Sequence, residues 1–165
     1  RIGAWPAAVA GLLVLVPSVT ALLRIATDWQ RGLSSVLLIA AIAVLMDTGG
    51  YFAGRAFGRH KLAPRVSPGK TWEGLCGGFV LLLVAAVGLT HWLPYARWPF
   101  VALVLVAGGF SVVGDLTESL FKRANGLKDS GRILPGHGGV LDRIDSVTAA
   151  APAMAAGLIW LGVGP

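Results

Sequence analysis

Five long apolar runs, separated by short charged stretches, constrain this chain more than any other feature. They extend roughly from Pro6 to Leu23, Leu33 to Phe57, Thr71 to Leu93, Pro99 to Leu120 and Ser146 to Val163. Each is near the ~20 residues that a helix needs to cross ~30 Å of hydrocarbon. None alternates strictly between apolar and polar positions, as the strands of a membrane β-barrel do. Only 13% of the 165 residues are charged, about half the usual share in a soluble domain. The expected fold is therefore all-α: a polytopic transmembrane helix bundle with about five spanning helices and short polar loops. Gly and Ala recur inside the runs, as in "AGGF" and "AAAPAMAAG", and small residues let membrane helices approach closely. The reading takes residues 1–165 as a single transmembrane domain. Because the chain starts with Arg1 and shows no signal-peptide pattern, it is expected to begin inside a longer protein.

The basic residues orient the bundle. Arg55, Arg59, Lys61, Arg65 and Lys70 lie at the second loop and its flanks, and Lys122, Arg123, Lys128, Arg132 and Arg143 at the fourth. With five spans these loops share a side, and they hold ten of the 14 cations, so that side is expected to be cytoplasmic. Trp92, Trp98 and Trp160 fall near the opposite boundary, where interfacial aromatics gather. A net charge of +6 concentrated in loops between apolar runs fits anionic lipid or a phosphorylated substrate, not a nucleic acid. The lone cysteine, Cys76, is expected to pack between helices.

Seven of the eight acids lie in or beside the two basic loops: Asp47, Glu73, Asp115, Glu118, Asp129, Asp142 and Asp145. Carboxylates are costly in a bilayer and usually functional there. Asp47 sits inside the second run. Asp115 and Glu118 close the fourth run on one helical face, and Asp142 and Asp145 repeat the spacing where the fifth helix should begin. The helix dipole alone would favour an acid at a helix start, but it disfavours a pair at a helix end. Two such pairs would offer hard oxygen ligands suited to Mg²⁺. Zinc is a poor candidate, because His137 is isolated and thiolates are missing. Nearby Lys and Arg would hold a polyphosphate and the charge that develops on it. "SPGKTWEG" contains Gly-Lys-Thr, but Pro64 stands where a P-loop needs glycine and no strand is expected before it, so the P-loop reading is rejected. Ser67 followed by Pro68 reads instead as a helix N-cap, and "PGHGG" as a tight turn.

The stretch "SLFKRANGLKDSGRILPGHGGVLDRIDS", Ser119 to Ser146, resembles the signature of the phosphatidate cytidylyltransferase family, the CDP-diacylglycerol synthases. "DTGGYFAGRAFGRHKLAPRVSPGKTWEG", Asp47 to Gly74, is similar to the family's second characteristic stretch. The resemblance implies that CTP and phosphatidate react, with Mg²⁺, to give CDP-diacylglycerol and pyrophosphate. It implies Asp115, Lys122, Asp142 and Asp145 as catalytic residues, with Asp115, Asp142 and Asp145 at the metal. Ser67, Lys70, Lys122, Arg123, Lys128, Asp129 and His137 would hold the nucleotide and phosphates, and Ser67, Lys70 and Asp47 would line one cavity. The resemblance allows a second, monovalent cation such as K⁺ and a homodimer, and it implies a bacterial inner membrane with the site facing the cytoplasm and membrane lipids as partners. Two other readings stay open: a CTP-dependent membrane lipid kinase of the polyprenol or phytol type, and a cation or proton transporter.

Overall fold

A computed structural model describes residues 4–27, 32–92, 96–127, 130–131 and 141–162. The helices are α1 (Ala4–Ala26), α2 (Gly32–Phe57), α3 (Trp72–Leu89), α4 (Arg97–Ala124) and α5 (Leu141–Trp160), with strands β1 (Lys61–Ala63) and β2 (Ser67–Thr71) between α2 and α3. Helices α2, α3 and α4 are each long and apolar enough to cross a membrane, while α1 and α5 contribute shorter apolar stretches, Gly11–Ala26 and Ile144–Trp160. The helical core forms where α1, α2, α3, α4 and α5 meet: Ile25, Ile39, Ile42, Leu82, Phe100, Val104 and Met154 are almost fully enclosed. Large apolar side chains also face outward, among them Leu12, Val44, Phe52, Val80, Val84 and Val106. An apolar exterior around an apolar core is the pattern of a bundle solvated by lipid. Trp92, Trp98 and Trp160 are all strongly exposed and stand at the end of the bundle away from the hairpin, as an aromatic belt would.

Two glycine contacts position the polar residues. At the first, α2 and α3 touch backbone to backbone. A Cβ on Gly49 would lie 2.8 Å from the Gly77 carbonyl oxygen and from Gly78 Cα, and one on Gly74 would lie 2.7 Å from the Gly50 oxygen. No side chain fits there, so the crossing brings Asp47 beside the start of α3. At the second, α4 meets α5. A Cβ on Gly114 would lie 2.6 Å from Ala149 Cβ and 2.8 Å from the Asp145 oxygen. The neighbours of Gly114 in sequence, Asp115 and Glu118, are thereby held against Asp145.

Four expectations change. The helical bundle carries a small addition: β1 and β2 pair antiparallel, Lys61 opposite Thr71 and Ala63 opposite Ser67. Ser67 and Pro68 are therefore strand residues, not a helix cap. The cap of α3 is Thr71, whose hydroxyl accepts from Gly74 N at 3.1 Å. Pro68 is tolerated because each strand of a two-stranded sheet has a free edge. A strand does precede the Gly-Lys-Thr motif, but as a hairpin partner, so the P-loop remains excluded. Next, α4 continues to Ala124, which puts Asp115 about two and a half turns inside the helix and removes the argument from an unfavourable dipole. The cations Lys122 and Arg123 occupy its last turn instead, where the dipole favours them. Finally, Cys76 is exposed on α3. Its neighbours Gly74, Gly77 and Gly78 face α2, which turns Cys76 outward.

Candidate active site

The hairpin end of the bundle gathers alternating charge. Lys70, on β2, donates through Nζ to Asp115 Oδ2 of α4. One helical turn further on, Ser119 Oγ reaches Asp115 Oδ1 at 3.4 Å. Lys122 bridges two helices, with Nζ 2.8 Å from Glu118 Oε2 and 2.7 Å from Asp142 Oδ1. Asp142 also accepts from the backbone N–H of Ser130, at 3.1 Å through Oδ1 and 2.9 Å through Oδ2. That pair of contacts ties Ser130 to the first turn of α5. Asp145 lies where the charges of Asp115 and Glu118 both act on it, and Asp47 feels both Lys70 and Asp115. Thus Asp47, Asp115, Glu118, Asp142 and Asp145 surround two lysines. Lys122, Glu118 and Asp142 have side chains only 15%, 11% and 14% exposed, so the attraction between them is weakly screened.

A cavity of about 210 Å³ opens between α2, the hairpin and α3. Asp47, Tyr51, Lys70 and Thr71 provide its polar lining, and Met46 and Leu75 are among its apolar walls. Tyr51 was not singled out from sequence. The available signal was helical spacing: Asp47, Tyr51 and Arg55 follow one another at four-residue intervals, and Arg55 Nη1 donates to the Tyr51 hydroxyl at 2.8 Å. Lys70 and Asp47 share this cavity as expected, but Ser67 does not line it. Ser67 and Lys70 are three positions apart along β2, about 10 Å at strand spacing, and Ser67 sits toward the hairpin turn. Arg123 also stands apart from the lysine–carboxylate cluster, donating through Nε to Val66 O and through Nη1 to Leu127 O, both at 3.4 Å. Lys128, Asp129 and His137 lie outside the described residues.

The donor set suits a hard divalent cation. Among the described residues, Glu118 Oε1 is a buried side-chain oxygen without a hydrogen-bond partner, next to Asp145 and Asp115. A cluster of five carboxylates around two ammonium groups has negative charge to spare. Oxygen donors with water or phosphate completing the shell are what Mg²⁺ takes. Among the described residues no three acidic, imidazole or thiol groups already stand in a metal-holding arrangement. Asp115 and Asp142 are each turned toward a lysine.

Comparison with known proteins sharpens this chemistry. A family model described as "Cytidylyltransferase family" matches residues 2–160. A protein of Pseudomonas aeruginosa named phosphatidate cytidylyltransferase is 49% identical over 161 residues, covering 96% of this chain and 59% of the relative. One of the same name from Haemophilus influenzae is 46% identical over 149 residues, covering 84% and 52%. A third, from Staphylococcus saprophyticus, is 43% identical over 125 residues, covering 74% and 48%. The chain therefore spans about half the length of the curated relatives it matches.

Proposed function

We propose a function from one premise: this chain belongs to the cytidylyltransferase family. The chain transfers a cytidylyl group from CTP to phosphatidate, giving CDP-diacylglycerol and pyrophosphate. The observation that carries this reading is the lysine–carboxylate cluster at the hairpin end of a lipid-solvated bundle. One substrate is water-soluble and the other is anchored in the bilayer, so the reacting groups must meet at that boundary. By sequence, ten of the 14 cations fall in or beside the second and fourth loops, which supports a cytoplasmic orientation, and bacterial relatives support an inner membrane.

The reaction forms a bond between a phosphatidate oxygen and the α-phosphorus of CTP and breaks the α–β phosphoanhydride bond. The attacking oxygen is already an anion, so no strong general base is required. The barrier lies in bringing anions together and in orienting them. Lys70 and Lys122 would exchange their carboxylate partners for phosphate oxygens, steadying the triphosphate and the departing pyrophosphate. Asp115, Asp142 and Asp145, with Glu118 beside them, would hold Mg²⁺. Bound there, the ion would supply charge neutralisation and Lewis-acid polarisation of the phosphates. Non-helical backbone, here the hairpin, is tolerated at such a depth because it lines a polar cavity and not lipid.

The test uses the full-length protein in membranes with CTP labelled on the α-phosphate, phosphatidate and Mg²⁺. Label should appear in a liponucleotide, with pyrophosphate released in equal amount and nothing formed in the presence of a chelator. Label appearing in CDP, with the lipid phosphorylated, would identify a kinase and overturn the proposal.

A further inference from the structure

We infer that Glu73 is a positioning residue: it sets where the Lys70 ammonium stands by tying the hairpin that carries Lys70 to the first turn of α3. The functional consequence rests on the proposed reaction, but the geometric one does not. A two-stranded hairpin is marginal by itself, and this one has three residues in β1 and five in β2, with an irregularity between its paired positions. It needs an anchor, and His60, the residue just before β1, is held through both its N–H and its carbonyl oxygen. The His60 N–H donates to both Glu73 oxygens at 3.2 Å, and His60 Nδ1 lies 2.6 Å from Glu73 Oε1. In return Trp72 N–H donates to the His60 carbonyl oxygen at 3.0 Å. Hydrogen bonds to an ionised carboxylate are roughly twice as strong as neutral ones. The contact at the other end of the hairpin is weaker, the 3.4 Å bond from Arg123 to Val66 O. Without Glu73, the start of β1 keeps the bond from Trp72 N–H but loses its carboxylate anchor, β2 has a less steady partner, and the Lys70 side chain is held less firmly at Asp115.

A bland role is available to Glu73, since an acid in a first helical turn is favoured by the dipole alone. That role would stabilise α3 without concern for Lys70, and the two can be separated by acylating amines in the intact full-length protein in membranes and quantifying each lysine by mass spectrometry. Glu73→Ala should raise the labelling rate of Lys70 about fivefold, the factor an ion pair of this exposure contributes, and leave Lys122 unchanged. Glu73→Gln, whose carbonyl oxygen still accepts the His60 N–H, should shift Lys70 in the same direction but less. An unchanged Lys70 rate, or equal rises at both lysines, overturns the inference. In turnover, Glu73→Ala should lower kcat/KM about 10- to 100-fold, but less than about threefold once Lys70→Ala is present, because the two act through one group. Equal losses in both backgrounds also overturn it. Labelling needs no substrate. A shift at Lys70 in a protein that makes no liponucleotide would therefore reject the proposed reaction and keep the positioning role.

Discussion

Lys122→Ala is the most informative single change, because one ammonium group holds two helices together. Its Nζ contacts Glu118 at 2.8 Å and Asp142 at 2.7 Å, and both partners are about nine-tenths enclosed. Removing one partner of a fully buried ion pair costs about 3–5 kcal/mol, since the other charge is left uncompensated. Two features reduce that figure here. The groups retain some solvent contact, and Asp142 keeps the Ser130 N–H. A loss of about 2–3 kcal/mol follows, equivalent to roughly 5–10 °C in the unfolding midpoint of a bundle of this size. The assay is thermal unfolding of the detergent-solubilised full-length protein, with Lys61→Ala as the reference. Lys61 is exposed on β1, and such surface changes stay within about 0.5 kcal/mol. Lys122→Ala should also weaken CTP handling more than Lys61→Ala does. Replacing Asp142 by Asn in the Lys122→Ala background should recover part of the lost stability, since it removes one uncompensated charge. Equal midpoints for Lys122→Ala and Lys61→Ala would refute the reasoning and leave Lys122 as a simple topology signal.

Asp115→Asn and Asp142→Asn should each lower turnover at least about 100-fold while membrane insertion stays normal; wild-type turnover with unchanged Mg²⁺ dependence would remove that residue from the proposed centre. Gly49→Ala should destabilise the bundle by about 1–3 kcal/mol, because its Cβ would press on the backbone of Gly77 and Gly78, whereas Gly88→Ala, with nothing within 4 Å of its Cβ, should be neutral or slightly stabilising in the same unfolding measurement. Thr71→Ala should cost about 1 kcal/mol through loss of the α3 cap, with Thr71→Ser restoring most of it; no loss on truncation would mean that the 3.1 Å bond to Gly74 N contributes nothing net.

The bundle was legible from local information. Long apolar runs must become helices in lipid, because each backbone N–H and C=O has to be satisfied within its own segment. That is why the expected and observed helices agree to within a few residues at most ends. The acids were legible too, since charge inside an apolar run is rare enough to stand out. Pairing was not. Sequence suggested that Asp115 and Glu118 belong with Asp142 and Asp145, but not that Lys122 joins Glu118 to Asp142 or that Lys70 reaches Asp115. Those contacts join residues 20 and 45 positions apart and depend on where Gly114 lets α4 settle on α5 and Gly49 lets α2 settle on α3. The hairpin was equally hidden. "KLA" is too short and "SPGKT" too rich in Gly and Pro to read as strands, and they pair because Glu73 and Thr71 hold their ends at the start of α3. Local composition determined which segments enter the membrane, since hydrocarbon penalises every unpaired polar group in the same way. Only tertiary packing decided which charge meets which, since that depends on how closely the backbones of different helices approach at their glycines.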